Sequence, residues 1–198
     1  MPMPEICAII LAAGESVRMG TNKLLLPYGD TPIIRRVVDQ VILSGVGHVL
    51  VVLGAFRETM VEEISKLPVE YCFNEDFKKG MLSSVQCGFR NMPGTSAAAL
   101  IFLGDQPMIP SHVTRQIVRS YGRSEQGIIV PVYRGKRGHP VLISRKYAAD
   151  IERLDPSEGL RALLVKFRDD VEELKTDESG ILRDIDTKAE YRKEIKLK

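Results

Sequence analysis

The chain has 198 residues, of which 44% are hydrophobic and 27% are charged, and its net charge at pH 7 is +2. This length is most simply one compact domain, residues 1–198, and the small net charge argues against a protein that binds nucleic acids or other polyanions. No apolar run approaches the roughly 20 residues needed to cross a bilayer, so we expect no association with a membrane.

The first half of the chain predicts an alternation of strands and helices. In chain order we expect a strand at residues 6–11, a helix at 32–44, a strand at 48–54, a helix at 57–66 and a strand at 69–73. Thr31 and Pro32 are expected to start the first helix as its N-cap and its first-turn proline, and Gly45 to end it. The first apolar run is short, has no basic region before it and leads into a glycine loop, so we interpret it as a buried strand and not as a signal peptide.

The second half continues the alternation. In chain order we expect a helix after residue 80, a strand at 98–105, a helix from 110 towards 121, strands at 128–133 and 140–144, a helix at 160–167, strands at 171–175 and 181–185, and a helix after 187. Pro131 and Pro140 place their two strands at a margin of the sheet, because proline lacks a backbone donor. Asp155, Pro156 and Glu158 are expected as N-cap, first-turn proline and capping-box glutamate of the helix that follows.

Continuous apolar strands separated by helices are typical of a parallel sheet that is covered on both faces. There is no linker rich in proline or serine, no internal repeat and no low-complexity segment. The sequence therefore predicts a three-layer α/β/α domain with a mostly parallel sheet.

The chain has three cysteines, Cys7, Cys72 and Cys87, each in apolar surroundings. Their odd number and the lack of close pairing favour reduced thiols that act as small core residues, and a cytoplasmic location. The three histidines are too scattered for a zinc motif.

The stretch LAAGESVRMGTNK, residues 11–23, follows the first strand, at the edge of the sheet where α/β proteins bind ligands. Five residues separate Gly14 from Gly20, so the loop matches neither the dinucleotide fingerprint nor the P-loop. Its small residues still allow a ligand to approach the backbone N–H groups. Arg18 and Lys23 carry charges suited to phosphate oxygens. The loop predicts a triphosphate site, and a tight turn with incidental surface cations is the alternative.

This loop resembles the signature L-A-[AG]-G-x-S-x-R-M-G-x-x-K of the nucleotidyltransferases that attach a nucleotide to molybdopterin. Its alanines and the following KLLLP are more similar to the cytidylyltransferase branch than to the guanylyltransferase branch with its usual double glycine. The resemblance runs from residue 6 to residue 191, with motifs in the expected order, and implies a Rossmann-like nucleotidyltransferase fold. The nucleotide-binding residues that it implies are Leu11, Ala12, Ala13, Gly14, Arg18, Lys23, Gly80, Ser83 and Ser84.

The last three of these belong to KGMLSSVQCG, which resembles the family's G-M-x-S-S segment near the base and ribose. Serines that begin a helix often serve only as caps, which is the alternative for Ser83 and Ser84.

Two acidic motifs predict a metal site. LGDQP places Asp105 directly after the most apolar strand, where a carboxylate can hold the Mg²⁺ of a triphosphate, and the aspartate of G-D-x-P is a metal ligand in the resembled family. RDIDTKAEY places Asp184 and Asp186 two residues apart, so that on a strand both would face the same side. The family carries D-I-D-T-P here, which makes Asp186 the better second ligand, although this chain has Lys188 in place of the proline. The alternatives to a metal site are that Asp105 only opens a turn before a proline and that Asp184 and Asp186 are surface residues on either side of Ile185.

KRGHPVLISR, residues 136–145, contains the cations Lys136, Arg137 and His139, which lie beside Gly138 and the preceding Gly135. In the family a G-H/N-P-V-L segment borders the acceptor pocket, so the resemblance implies that Arg137 and His139 bind an acceptor with a terminal phosphate. A solvated hairpin tip explains Lys136 equally well.

The resemblance implies a Mg²⁺-dependent transfer of CMP from CTP to the terminal phosphate of molybdopterin, with release of pyrophosphate. Arg18, Lys23 and Asp105 are the expected catalytic residues. The expected partners are CTP or another nucleoside triphosphate, molybdopterin, and transiently a molybdoenzyme or its maturation factor. No strong general base is required, because a phosphate monoester is already anionic at neutral pH.

Three alternatives remain. The same fold could use GTP or ATP, or transfer cytidylate to a sugar phosphate or an isoprenoid-precursor phosphate. A non-catalytic carrier of the molybdenum cofactor is an alternative of another class, disfavoured because it would not need a metal-triphosphate site. A dinucleotide-dependent oxidoreductase is disfavoured by the glycine spacing.

Overall fold

The computed structural model describes residues 4–155 and 157–196. The strands arise mostly from the short apolar runs of the sequence. They are β1 (Ile6–Ala12), β2 (Pro27–Tyr28), β3 (Thr31–Pro32), β4 (His48–Leu53), β5 (Glu70–Phe73), β6 (Ala98–Leu103), β7 (Ile128–Tyr133), β8 (Lys136–Arg137), β9 (Val141–Ser144) and β10 (Val171–Lys175).

Eight of these strands form one sheet, in the order β10-β7-β9-β6-β1-β4-β5, with β8 paired to β7. The central strand β1 pairs in parallel with both β4 and β6, and the pairs β4–β5 and β7–β10 are parallel as well. Only β9 and the short β8 run antiparallel to their neighbours in this sheet. The prediction of a mostly parallel sheet is confirmed, and the carboxyl ends of β1, β4, β6 and β7 meet at one edge.

Helices cover both faces of the sheet. They are α1 (Ile33–Leu43), α2 (Arg57–Ile64), α3 (Met81–Asn91), α4 (Ser111–Tyr121), α5 (Ala148–Glu152), α6 (Arg161–Lys166) and α7 (Lys188–Lys196). Alternate residues of β1 enter two different cores, because successive side chains of a strand point to opposite faces. Ile10 packs in the core formed with α1, α2 and α4, whereas Ile9 packs in the core formed with α3, α5 and α6. The three-layer arrangement is confirmed. Within the described residues, no helix has the length and apolar character required to cross a membrane.

The first helix starts differently from the prediction. Thr31 and Pro32 pair with β2, and α1 begins at Ile33 without a side-chain cap. The N–H group of Ile33 donates to the carbonyl of Leu26 at 3.0 Å. Backbone pairing therefore takes the place of the expected threonine cap.

The predicted capping box before α6 is also wrong. The carboxylate of Asp155 accepts hydrogen bonds from the N–H group and the hydroxyl of Ser157, at 2.8 and 2.7 Å. This local turn precedes a helix that begins only at Arg161, with no side-chain cap. Pro156 lies outside the described residues.

Two further predictions about strands are wrong. β7 and β9 do not lie at a margin, because β10 forms the sheet edge beyond β7. The β7–β9 pairing covers residues 128 and 129 only, so Pro131 lies beyond it, and Pro140 precedes β9 after a cis peptide bond. Residues 181–185 form no strand: Ile181 belongs to a 3-10 turn (Ser179–Leu182), and both Ile181 and Ile185 are buried in the core.

The prediction that the cysteines lack close partners is wrong for two of them. The Sγ atoms of Cys72 on β5 and Cys87 on α3 are 3.7 Å apart. All three cysteines are free thiols.

Candidate active site

The loop after β1 folds back on itself and places Lys23 beside the end of the strand. The carbonyl of Ser16 accepts the N–H groups of Met19 and Gly20 at 2.9 and 3.2 Å. The hydroxyl of Ser16 accepts the N–H group of Lys23 at 3.2 Å, and Asn22 caps the 3-10 turn that Lys23 begins. Ser16 and Gly20 both have a positive φ, of 50° and 70°, which the tight reversal requires.

Lys23 joins two acidic residues from distant parts of the sequence. Its Nζ atom lies 2.6 Å from Oδ2 of Asp105, which follows β6, and 2.6 Å from Oδ1 of Asp186, which precedes α7. The side chains of Lys23 and Asp105 are only 13% and 18% exposed, so this cluster is largely shielded from water. The structure thus brings together the three residues that the motifs indicated.

Arg18 reaches the same cluster from the exposed tip of the loop. Its Nη1 atom is 3.0 Å from Oδ2 of Asp186, while 72% of the side chain is exposed. A side chain so exposed can leave this ion pair at small cost when a ligand offers other anionic oxygens.

The charges of this cluster stabilise one another. Burial alone would lower the pKa of Lys23, but the charges and hydrogen bonds of Asp105 and Asp186 raise it above its ordinary value. The hydrogen bond from Lys23 and the nearby Arg18 lower the pKa of Asp186. Burial, together with the charges of Asp186 and Asp105, raises the pKa of Asp184. Lys23 is therefore a cation and Asp186 an anion at neutral pH.

A cavity of about 550 Å³ opens above this cluster, at the carboxyl edge of the sheet. Of the residues predicted to bind the nucleotide, seven line it: Leu11, Ala12, Ala13, Gly14, Arg18, Lys23 and Ser84. Asp105 and Asp186 line it too. Asp184, the weaker of the two candidates for the second metal ligand, also lines the cavity, as do Ser16 and Met81, for which no role was predicted.

Two glycines allow the strand ends to approach closely beneath the cavity. A Cβ atom on Gly104 would lie 2.9 Å from the carbonyl oxygen of Leu11, and one on Gly54 would lie 2.8 Å from that of Ala13. Real Cβ contacts are longer, so Gly104 is needed for Asp105 to lie next to the end of β1.

The residues present fit a divalent cation. Oδ1 of Asp105 is buried and has no hydrogen-bond partner within the described residues, so one carboxylate oxygen remains available beside Asp186. Among residues 4–155 and 157–196 no group of three or more His, Cys, Asp or Glu side chains is placed to hold a metal by itself. Mg²⁺ and similar cations use one or two carboxylates together with phosphate oxygens and water, which matches this donor set.

Ser83 and Ser84 have different surroundings. Both hydroxyls accept hydrogen bonds from the amide of Asn74, at 2.8 and 3.0 Å, and Ser83 also bonds to the carbonyls of Asp76 and Gly80. Ser83 thereby fixes the loop between β5 and α3, and neither it nor Gly80 is among the residues lining the cavity. Ser84 does line the cavity, and Asn74, whose amide orients this serine, belongs to no motif of the sequence.

The predicted acceptor residues line a second cavity of about 710 Å³, and Met81 lines both cavities. Arg137 forms an ion pair with Glu173 at 2.7 Å. Burial lowers the pKa of His139 to about 4, although the charge of Asp184 opposes this shift. The expected cationic loop therefore contains a neutral His139 at pH 7. Arg161, which no sequence motif indicated, lines the same cavity.

Comparisons with known proteins extend over most of the chain. The family model of the MobA-like NTP transferase domain matches residues 8–171. The chain is 28% identical to the molybdenum cofactor cytidylyltransferase of Escherichia coli K12, covering 96% of this chain and 95% of that protein. It is 30% identical to the purine catabolism protein PucB of Bacillus subtilis 168, covering 96% of each. The crystal structure of Rv0371c from Mycobacterium tuberculosis H37Rv in complex with manganese matches with a TM-score of 0.84 and 26% identity, covering 98% of each chain.

Proposed function

The chain belongs to the family of MobA-like NTP transferases, and within this class of nucleotidyltransferases we propose that it transfers CMP from CTP to the terminal phosphate of molybdopterin. The main observation that supports this proposal is the position of Lys23 between Asp105 and Asp186, in a cavity that the glycine loop lines. The likeness to the E. coli cytidylyltransferase over nearly the whole chain supports CTP and molybdopterin as the substrates. The three free thiols support a cytoplasmic location, from which the product passes to a molybdoenzyme or its maturation factor.

The loop residues 12–14 seat the triphosphate through their backbone N–H groups, because their side chains are too small to hold it away. Arg18 leaves Asp186 and binds phosphate oxygens with its guanidinium group. Lys23, held in position by its two carboxylates, stabilises the charge that develops on the triphosphate.

Asp105 and Asp186 are the proposed ligands of a Mg²⁺ ion, which supplies charge neutralisation to the triphosphate when bound. The manganese complex of Rv0371c supports a divalent metal in this class of protein. Asp184 remains near these ligands and increases the negative charge of the site.

The acceptor is proposed to occupy the second cavity, where Arg137, His139 and the exposed Lys136 lie. Met81 lines both cavities, so the two cavities are neighbours. A phosphate of an acceptor in the second cavity can therefore approach the α-phosphate of a nucleotide in the first. An oxygen of the acceptor phosphate attacks the α-phosphorus, the bond from that phosphorus to the bridging oxygen of the β-phosphate breaks, and pyrophosphate leaves. Holding the two phosphates close together and correctly oriented would provide much of the rate enhancement.

The test is an incubation of the protein with Mg²⁺, molybdopterin and each of the four nucleoside triphosphates in turn, with and without molybdenum on the acceptor. We expect pyrophosphate release and a product mass of molybdopterin plus CMP with CTP only, and no release when EDTA replaces Mg²⁺. Thermal unfolding with each nucleotide measures binding separately, because a preferred ligand raises Tm.

Each other outcome contradicts a defined part of the proposal. A product with GTP or ATP would refute the assignment to CTP, and activity only with a sugar phosphate or an isoprenoid-precursor phosphate would refute the assignment to molybdopterin. Cofactor binding without pyrophosphate release under all conditions would indicate a carrier.

A further inference from the structure

The two neighbouring thiols, Cys72 and Cys87, lie outside the site described above. Cys72 is on β5, the edge strand of the sheet, and is partly exposed, whereas Cys87 on α3 is buried. Their Sγ atoms are 3.7 Å apart, and the S–S bond of a disulfide is about 2.05 Å long. The two sulfur atoms are therefore less than 2 Å from bonding distance.

The surroundings of Cys87 favour its thiolate. The hydrogen bond with Cys72 and the guanidinium of Arg90 lower the pKa of Cys87 below its ordinary value, against the effect of burial. The amide of Asn91 also lies 3.8 Å from its Sγ atom. The thiolate is the reactive form of cysteine, so these contacts favour reaction at Cys87.

Cys7 provides the contrast within the same chain. It is completely buried in β1, and burial raises its pKa to about 12, so that its thiol stays protonated. Proximity and thiolate character are thus properties of the Cys72–Cys87 pair and are not shared by the third cysteine.

We propose that Cys72 and Cys87 form a reactive dithiol that a hydroperoxide converts into a disulfide. The thiolate of Cys87 attacks one peroxide oxygen, the O–O bond breaks, and Cys87 becomes a sulfenic acid as hydroxide leaves. The sulfur of Cys72 then attacks the sulfenic sulfur, an S–S bond forms, and the sulfenic oxygen leaves as water with the proton of Cys72. Two thiols are oxidised and one hydroperoxide is reduced.

The disulfide would connect β5 covalently to α3. The first turn of α3 carries Met81 and Ser84, which line the candidate nucleotide cavity, and Asn74 two residues beyond Cys72 binds Ser84. The disulfide would close the loop between residues 72 and 87 and thereby restrict the conformations of the unfolded chain. We therefore expect oxidation to raise Tm by about 5–10 °C.

The experiment treats the full-length protein with hydrogen peroxide at pH 7, alkylates the remaining thiols and measures the intact mass. The expected result is the loss of two of the three thiols, a peptide map that links residue 72 to residue 87, and full recovery of the thiols with dithiothreitol. Higher oxidation of Cys87 without a disulfide, a disulfide that involves Cys7, or three alkylated thiols would overturn the proposal.

Single substitutions provide the controls. Cys72→Ser is expected to abolish both the disulfide and the rise in Tm, whereas Cys7→Ala retains both. Cys87→Ser removes the other sulfur of the same bond and is expected to give the same result as Cys72→Ser. With both variants, the poor folding of one does not decide the result. An unchanged rise in Tm on oxidation of Cys72→Ser would contradict the cross-link, and none of these readouts depends on the identity of the nucleotide or acceptor.

Discussion

Replacing Asp105 by asparagine tests the metal site most directly. One oxygen of this carboxylate accepts a hydrogen bond from Lys23 at 2.6 Å, and the other is buried without a partner within the described residues. Asparagine has nearly the same shape but removes the negative charge and one ligand oxygen. From the usual effect of a preorganised electrostatic group, we expect the rate to fall about 100-fold or more. This equals a loss of about 2.7 kcal/mol of transition-state stabilisation.

The same change should leave the fold intact. The backbone carbonyl of residue 105 still accepts the N–H group of Ile185, which lies 3.1 Å away in the native chain. Lys23 keeps its ion pair with Asp186, and the amide oxygen of asparagine can still accept its hydrogen bond. Because the ion pair between Lys23 and Asp105 is largely shielded from water, we expect the free energy of unfolding to fall by about 1–3 kcal/mol, which leaves the protein folded.

The assay is pyrophosphate release with CTP and molybdopterin over a titration of Mg²⁺, with Tm measured on the same samples. Asp169→Asn is the matched control, because this aspartate is 96% exposed and the substitution is chemically identical. Turnover of Asp105→Asn equal to that of the native protein at every Mg²⁺ concentration would refute the role of Asp105 as a metal ligand.

Three further predictions concern the loop, the strand ends and pH. Gly104→Ala should lower the free energy of unfolding by about 1–3 kcal/mol in chemical denaturation, because the added Cβ atom would meet the carbonyl of Leu11. Gly94→Ala should not, because there is open space around the Cβ position of Gly94, and equal stability of the two variants would contradict the close contact at Gly104. Arg18→Gln should raise the KM for the nucleotide while Tm changes by less than about 2 °C, since the side chain is mostly exposed; an unchanged KM would exclude Arg18 from nucleotide binding. The pKa of His139 is lowered to about 4, so the imidazole of the unfolded chain binds a proton first as the pH falls, and up to about 3 kcal/mol of the stability present at pH 7 should be lost between about pH 6.5 and 4. In urea titrations His139→Gln should lose this part of the pH dependence of stability. A native pH dependence in that variant would contradict the assignment to His139.

The sequence was sufficient to predict the central part of the fold. β1, β4 and β6 are buried on both faces, and such strands must consist of continuous apolar residues, which a sequence displays directly. The same reasoning failed for residues 181–185, because an apolar residue at each end indicates burial and not strand pairing. Ile181 and Ile185 are indeed buried, but in an irregular segment. The pairing of β2 with β3 involves two residues in each strand, too few to produce a pattern.

The candidate site was predictable as a set of motifs but not as a geometry. Lys23 is separated from Asp105 by 82 residues and from Asp186 by 163, so their shared ion pair depends on the complete fold. The charge of His139 could not be predicted either, because its burial depends on segments that are distant in the sequence. For Cys72 and Cys87, the contact exists only because α3 packs against β5, and nothing in the local sequence indicates it.

The reversed direction of β9 has a consequence for how new specificities can arise in this molecule. Because β9 starts at the edge where β7 ends, residues 134–140 reach the ligand side without a crossover helix. The two cavities are thus built mostly from separate stretches of chain, one from the N-terminal loop and the other from residues 136–141 and 158–165. If the second cavity holds the acceptor as proposed, exchange of residues 136–141 and 158–165 between related proteins would change the acceptor and keep the nucleotide.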